Sequence, residues 1–405
     1  MKFFMIIITA LCIGVTANPK MQQRSSTSLQ KYELQKMVDE EFLKYKEKVP
    51  EYPGGIILYA KSNKHTFLIS SGMTLPVSKK IHFRAASNTK IYTAAAILQL
   101  HQEGKLNVYD PVTARIPGSD KSYLPDTKTY NLPYKKDITI LDLLRHRAGI
   151  YDVTNERIPD SVDAPYRGEH YLEYILKKDP THTFSFDELI GINAAAGLSY
   201  FKPGTDYHYS NTGYSILGKI IERVSGESYQ SFIINHIIKP MRLRHTSLPT
   251  SGRDQMIPEP FLKGYEIIDH QIYDVTRSNV SGNVAEGNLI TTPEDLAVFL
   301  HMLLRGKGPL SHQTVHSILM KYAPRYGNDT GGYACGLLYN PELGYEHSGA
   351  HEGFLSVMCY DPEKDLTIVT FTNTWNLNGG MGSMFDQIST LLEKIAYQTK
   401  KIMAP

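Results

Sequence analysis

The sequence predicts a protein of the α/β class, more closely α+β. An antiparallel sheet built from both chain ends is flanked by helices, with a mainly helical subdomain inserted between the two halves. Three observations predict this. Short branched runs bounded by turn residues stand near the start, Gly54 to Ala60 and Thr66 to Ser70, and return near the end at 333–339, 344–348, 354–360 and 366–372. Between them, residues 111–285 alternate Pro- and Gly-containing loops with stretches of helical period. The chain of 405 residues is 41% apolar, enough for a core of ordinary size. Its 43 Lys and Arg against 41 Asp and Glu leave a net charge of +2, without the clustered basic surface that a nucleic-acid binder needs.

Taken in order, residues 1–17 are expected to be a secretory signal. Lys2 supplies the positive start, Phe3 to Ile13 the apolar run, and Val15 and Ala17 the small residues before a cleavage site. The run is shorter than the ~20 residues of a bilayer span, and Leu11 is too bulky for lipoprotein processing at Cys12. Cleavage after Ala17 and a secreted or periplasmic location are therefore expected, with no transmembrane segment in the mature chain. Residues 18–28 are polar. Leu34, Val38, Phe42, Tyr45 and Val49 then recur at helical spacing, so an amphipathic helix should stop at Pro50. Ser62 and Asn63 turn the chain between the first two strands. Ser87 to Lys105 is apolar on nearly all sides, the mark of a buried helix.

Further helices are expected at Ile140 to Arg145, Asp187 to Ala195, Tyr214 to Val224, Tyr229 to Ile238, Pro293 to Leu304, 311–321 and 381–398. From residue 18 onward the chain should form one catalytic domain. Its sheet part spans about 30–110 and 286–400, and its helical part about 111–285. Cys335 and Cys359 remain after signal removal, and their spacing leaves pairing open. Neither belongs to a C-x-x-C element, and His347 and His351 do not share a helical face, so no metal site is expected.

G-x-S-x-G, P-loop and G-x-G-x-x-G patterns are all absent, which argues against an α/β-hydrolase and against nucleotide chemistry. S-x-x-K occurs three times, as Ser28/Lys31, Ser87/Lys90 and Ser199/Lys202. Only Ser87 opens a long apolar helix, with Lys90 one turn on and on the same face. There the helix N-terminus and a nearby amine can activate a serine nucleophile. Tyr209-Ser210-Asn211 closes a polar and aromatic loop before the helix that follows. A tyrosine beside a lysine can have its pKa lowered and serve as general base. His347-Ser348-Gly349 ends a strand-like run, where glycine permits close approach to the backbone. Arg145-His146-Arg147 reads as a solvated surface turn.

In this order the three motifs resemble the serine hydrolase family of class C β-lactamases, D-alanyl-D-alanine carboxypeptidases and penicillin-binding esterases. Leu143 to Ile150, Gly213 to Tyr229, Ala285 to Leu300 and Gly353 to Asn373 extend the resemblance over roughly 35–395. It implies a β-lactamase/transpeptidase-like fold and a site without metal or organic cofactor. Ser87 would be the acylated nucleophile, Lys90 its proton partner and Tyr209 the general base. Asn211 would hold the substrate amide and the lysine. His347 would assist the tyrosine or bind a substrate carboxylate, with Ser348 and Gly349 supporting. The backbone N–H groups of Ser87 and Ala350 would form the oxyanion hole. The implied substrate is a D-alanine-terminated peptide, an ester or a β-lactam, and the implied activity is first that of a D-alanyl-D-alanine carboxypeptidase or related D-amino-acid peptidase. A carboxylesterase, a weak β-lactamase and a catalytically silent binding protein on the same fold are the alternatives. His347 stands where the β-lactamases carry lysine, which argues against efficient antibiotic hydrolysis.

Overall fold

The computed structural model describes residues 19–327, 330–378 and 381–404. The segment read as a secretory signal, with Cys12, lies outside them. Among the described residues twelve strands follow in chain order: β1 Ile56–Lys61, β2 Thr66–Ser71, β3 Phe83–Ala86, β4 Tyr265–Ile268, β5 Gln271–Asp274, β6 Leu289–Thr291, β7 Gly332–Tyr333, β8 Leu338–Asn340, β9 Gly344–His351, β10 Phe354–Asp361, β11 Leu366–Thr372 and β12 Thr374–Asn376. The main sheet has the order β2-β1-β11-β10-β9-β8-β7. Its pairing is antiparallel throughout, and the two chain ends join where Ile56 faces Thr372 and Lys61 faces Thr367. The sheet completed by both ends is thus present.

Alternation along the strands gives the sheet two buried faces. On one, Leu355, Val357 and Cys359 of β10 pack with Leu34, Val38 and Phe42 of helix Pro19–Lys48 and with Ile388, Leu392 and Ile395 of helix Met381–Met403. On the other, Phe354, Met358 and Tyr360 join the core around helix Thr89–Gln102, whose side chains are almost all buried, as its composition predicts. Cys335 lies in this second core and Cys359 in the first, so the sheet stands between them and both are free thiols. Among the described residues no helix is long and apolar enough to cross a membrane.

Several expectations need correction. The polar stretch 18–28 does not precede the first helix but forms its opening from Pro19, so Ser28 and Lys31 sit inside a helix. The run 333–339 is not one strand. Gly336, at φ +72°, turns the chain so that β7 and β8 pair with each other. The mainly helical middle region also carries a small sheet element that the sequence did not signal. β4 and β5 form a hairpin, and β4 pairs parallel with β12. The short β3 and β6, which also pair, lacked the length to stand out as strands.

Candidate active site

β3 delivers the chain to Ser87 through a sharp turn. Ala86 takes φ +49°, an unusual conformation for a residue with a side chain. The turn is pinned by side chains that return to the backbone. Thr89 Oγ1 donates to the Ala86 carbonyl at 2.7 Å, and Asn88 Nδ2 donates both to the Ala85 carbonyl and to Ser356 Oγ at 2.9 Å. Gly349 of β9 closes the turn from the other side. A Cβ there would lie 2.2 Å from the Ala85 carbonyl oxygen, so its glycine serves packing of the strand against the nucleophile turn.

Lys90, in the first turn of helix Thr89–Gln102, is fully buried. Its Nζ lies 2.7 Å from Asn211 Oδ1, 3.0 Å from the Glu286 carbonyl oxygen, and 3.2 Å from both Glu286 Oε2 and Ser87 Oγ. Asn211 is itself held by its backbone N–H, which donates to Asp152 Oδ2 at 3.0 Å. Burial lowers the Lys90 pKa, while Glu286 and Asp152 act to raise it. Burial raises that of Glu286, opposed by Lys90. One ammonium therefore faces two carboxyl groups in a region closed to solvent.

Tyr209 completes the cluster. Its ring lies 4.7 Å under the Lys90 ammonium, and Ser87 hydrogen-bonds its hydroxyl. The expected depression of its pKa does not occur. Burial, aided by the negative charges of Glu286 and Asp152, pushes it well above the usual phenol value, so the resting group is a phenol. His347 is also corrected. Its Nδ1 meets the Ser348 carbonyl, which can only accept, so Nδ1 carries the proton and Nε2 accepts from the Tyr333 hydroxyl at 3.0 Å. Burial and the Lys90 charge lower its pKa to about 3. A neutral imidazole with both nitrogens engaged is unsuited to hold a carboxylate. Ser348 is not in the cluster, because alternation turns its side chain to the opposite face of β9. There it lines a cavity of about 440 Å³ with Glu346 and Glu393. The motif lies within β9 rather than at its end.

Sequence reasoning missed Glu286, Asp152, Tyr333 and His146. His146 is not solvated. It is buried at φ +56°, accepts the Ser210 N–H at Nδ1 at 3.1 Å, and stands 4.3, 5.1 and 4.5 Å from the rings of Tyr209, Tyr214 and Tyr333. Of its flanking arginines, Arg147 reaches the Gly204 carbonyl, and Arg145 reaches the Lys321 carbonyl and the buried Cys335 thiol. Among the described residues no group of three or more His, Cys, Asp or Glu side chains is arranged to hold a metal ion.

The Beta-lactamase family model matches residues 46–392. Protein flp of Staphylococcus aureus is 29% identical over 343 residues, covering 79% of this chain, which spans 59% of that relative's length. Among solved structures, a D-stereospecific amidohydrolase from Streptomyces superposes with a TM-score of 0.65 at 26% identity, covering 80% of this chain and 89% of that one. A D-amino acid amidase from Ochrobactrum anthropi SV3, at 21% identity, gives a TM-score of 0.70 over 94% of this chain and 99% of its own.

Proposed function

The chain belongs to the Beta-lactamase family and is a serine hydrolase of that fold, and from this premise we propose that it hydrolyses amide bonds of D-amino-acid substrates through an acyl-enzyme on Ser87. The observation that carries the reading is the contact chain Lys90–Ser87–Tyr209. Lys90 Nζ donates to Ser87 Oγ at 3.2 Å, and the Ser87 hydroxyl is left to donate to Tyr209. In the proposed reaction Ser87 Oγ bonds to the acyl carbon as its O–H proton passes into the Lys90–Tyr209 pair, and the carbonyl becomes an oxyanion facing the N–H groups of Ser87 and Ala350. The C–N bond then breaks as the amine takes a proton relayed by the Tyr209 phenol, and water releases the acid.

Two features favour a D-amino-acid amidase or peptidase over a carboxypeptidase that reads a free terminal carboxylate. The neutral His347 offers such a carboxylate no charge. The Streptomyces relative is named for D-stereospecific amide hydrolysis. The test is a matched panel of D- and L-alanine p-nitroanilides, with D-alanyl-D-alanine peptides free or amidated at the C-terminus. The reading expects D over L by about 100-fold or more in kcat/KM, roughly 2.7 kcal/mol of transition-state discrimination, and equal or better cleavage of the amidated peptide. Cleavage confined to the free acid would make the protein a carboxypeptidase. Turnover of aryl esters alone, without stereochemical preference, would make it a carboxylesterase.

A further inference from the structure

Lys90 Nζ has three protons and four oxygen neighbours. Two of these, Asn211 Oδ1 at 2.7 Å and the Glu286 carbonyl at 3.0 Å, can only accept, so they claim two protons. The third lies between Ser87 Oγ and Glu286 Oε2, both at 3.2 Å. Glu286 is built to receive it. Its other carboxyl oxygen is held by Asn283 Nδ2 at 2.7 Å. The backbone before it is fixed by Ala285, at φ +72°, whose carbonyl accepts from Thr93 Oγ1 at 2.6 Å.

We propose that Glu286 takes the third Lys90 proton, leaving the amine lone pair directed at Ser87 so that Lys90 is the base for acylation. Glu286 acts through Lys90 and is a positioning residue in this step. The proton first moves from Nζ to Oε2. Ser87 Oγ then bonds to the acyl carbon, its O–H bond breaks, the carbonyl electron pair moves to oxygen, and Nζ gains the Ser87 proton. When the C–N bond breaks, that proton leaves with the amine by way of Tyr209. The acyl-enzyme thus holds neutral Lys90 beside protonated Glu286, ready to take a proton from water. In a low-dielectric interior a neutral pair competes with an ion pair, because separated charge loses its solvation there. The titratable groups around the pair are Asp152 and His146 from the loops before helix Asn211–Ser225, Tyr209 and Tyr214 at its start, His347 on β9 with Tyr333 of β7 bonded to it, and Tyr229, whose phenol feels Glu286.

The inference rests on the acyl-enzyme reading, so Ser87→Ala accompanies each assay. Absence of Ser87-dependent turnover in the wild type would defeat that reading, whereas the outcomes below bear on Glu286 alone. At low pH the pair holds both protons and has no base, so the wild-type acid limb follows Glu286, whose pKa stands above the ordinary carboxylate value. In Glu286→Gln the limb must follow the Lys90 ammonium, at higher pH. The expected result is kcat at pH 7 reduced about 100-fold or more, KM within about threefold, and an acid limb of kcat/KM moved up by more than about one unit. Glu286→Asp, which keeps the carboxyl, should retain the wild-type limb and recover about tenfold of the loss. A Gln variant with an unmoved limb overturns the inference, whether its kcat is kept or lost. Infrared difference spectra of the wild type, acylated and free, serve if the Gln variant does not fold. A protonated-carboxyl band gained on acylation supports the inference, and its absence defeats it.

Discussion

The two faces of β9 place alternate residues of one strand in opposite chemistry. Toward helix Thr89–Gln102, His347 shares a buried region with the Lys90 ammonium and loses its own proton, its pKa lowered to about 3. Toward helices Pro19–Lys48 and Met381–Met403, Glu346 shares the 440 Å³ cavity with Glu393 and holds its proton until the pH approaches 7, its pKa raised to about 7. Burial neutralises the acid and the base alike. Lys90 differs because two carboxyl groups and three further oxygens act to keep its proton against the effect of burial, whereas the imidazole beside it has no carboxyl partner. Charge on the catalytic face is therefore decided by the number of partners each group has, and not by proximity to solvent.

The largest effect should come from removing the catalytic-face cation. Lys90→Met leaves the Glu286 carboxyl buried and unpaired, and is expected to lower turnover by about 10³-fold or more and to cost about 3–5 kcal/mol of stability in chemical denaturation. Loss of turnover with stability unchanged would mean that Glu286 takes up a proton without penalty, and the contrast between the faces would be weaker than drawn. A smaller effect is expected on the cavity face. The folded-state pKa of Glu346 exceeds its unfolded value, so its contribution is full below about pH 4.5 and is lost as pH rises through about 7. Stability should fall over that window by no more than about 3 kcal/mol, and Glu346→Gln should flatten the dependence. An equal slope in the variant would transfer the effect to other acids, such as Glu266, whose pKa is also raised to about 7.

Much of this arrangement could be read from local pattern. The helical spacing of Leu34 to Val49, the apolar stretch after Ser87 and the alternating C-terminal strands each carry their own signal, and all three reappear in the fold. Ser87 and Lys90 were legible because they sit at a helix start, where three-residue spacing sets contact, and Asn211 through the resemblance that its motif carries. His146 and Asp152 lie in loops whose burial depends on distant packing, and the charges flanking His146 pointed the wrong way. Glu286 left one faint signal, a lone acid within the otherwise uncharged run from Val284 to Thr292. The pKa of Tyr209 was misread for a related reason: its sign rests on burial and on two carboxyl groups from elsewhere in the chain, whereas only the lysine was visible locally.

The most direct test of the central claim, that Ser87 is the acylated group of this cluster, is intact-mass spectrometry of the protein and of Ser87→Ala after brief exposure to a penicillin, with peptide mapping and antibiotic loss followed in the same tube. The account predicts an acyl adduct on Ser87 that outlasts the exposure, slow loss of antibiotic and no adduct in the variant. An adduct that persists in Ser87→Ala, or one mapped to another residue, would contradict it.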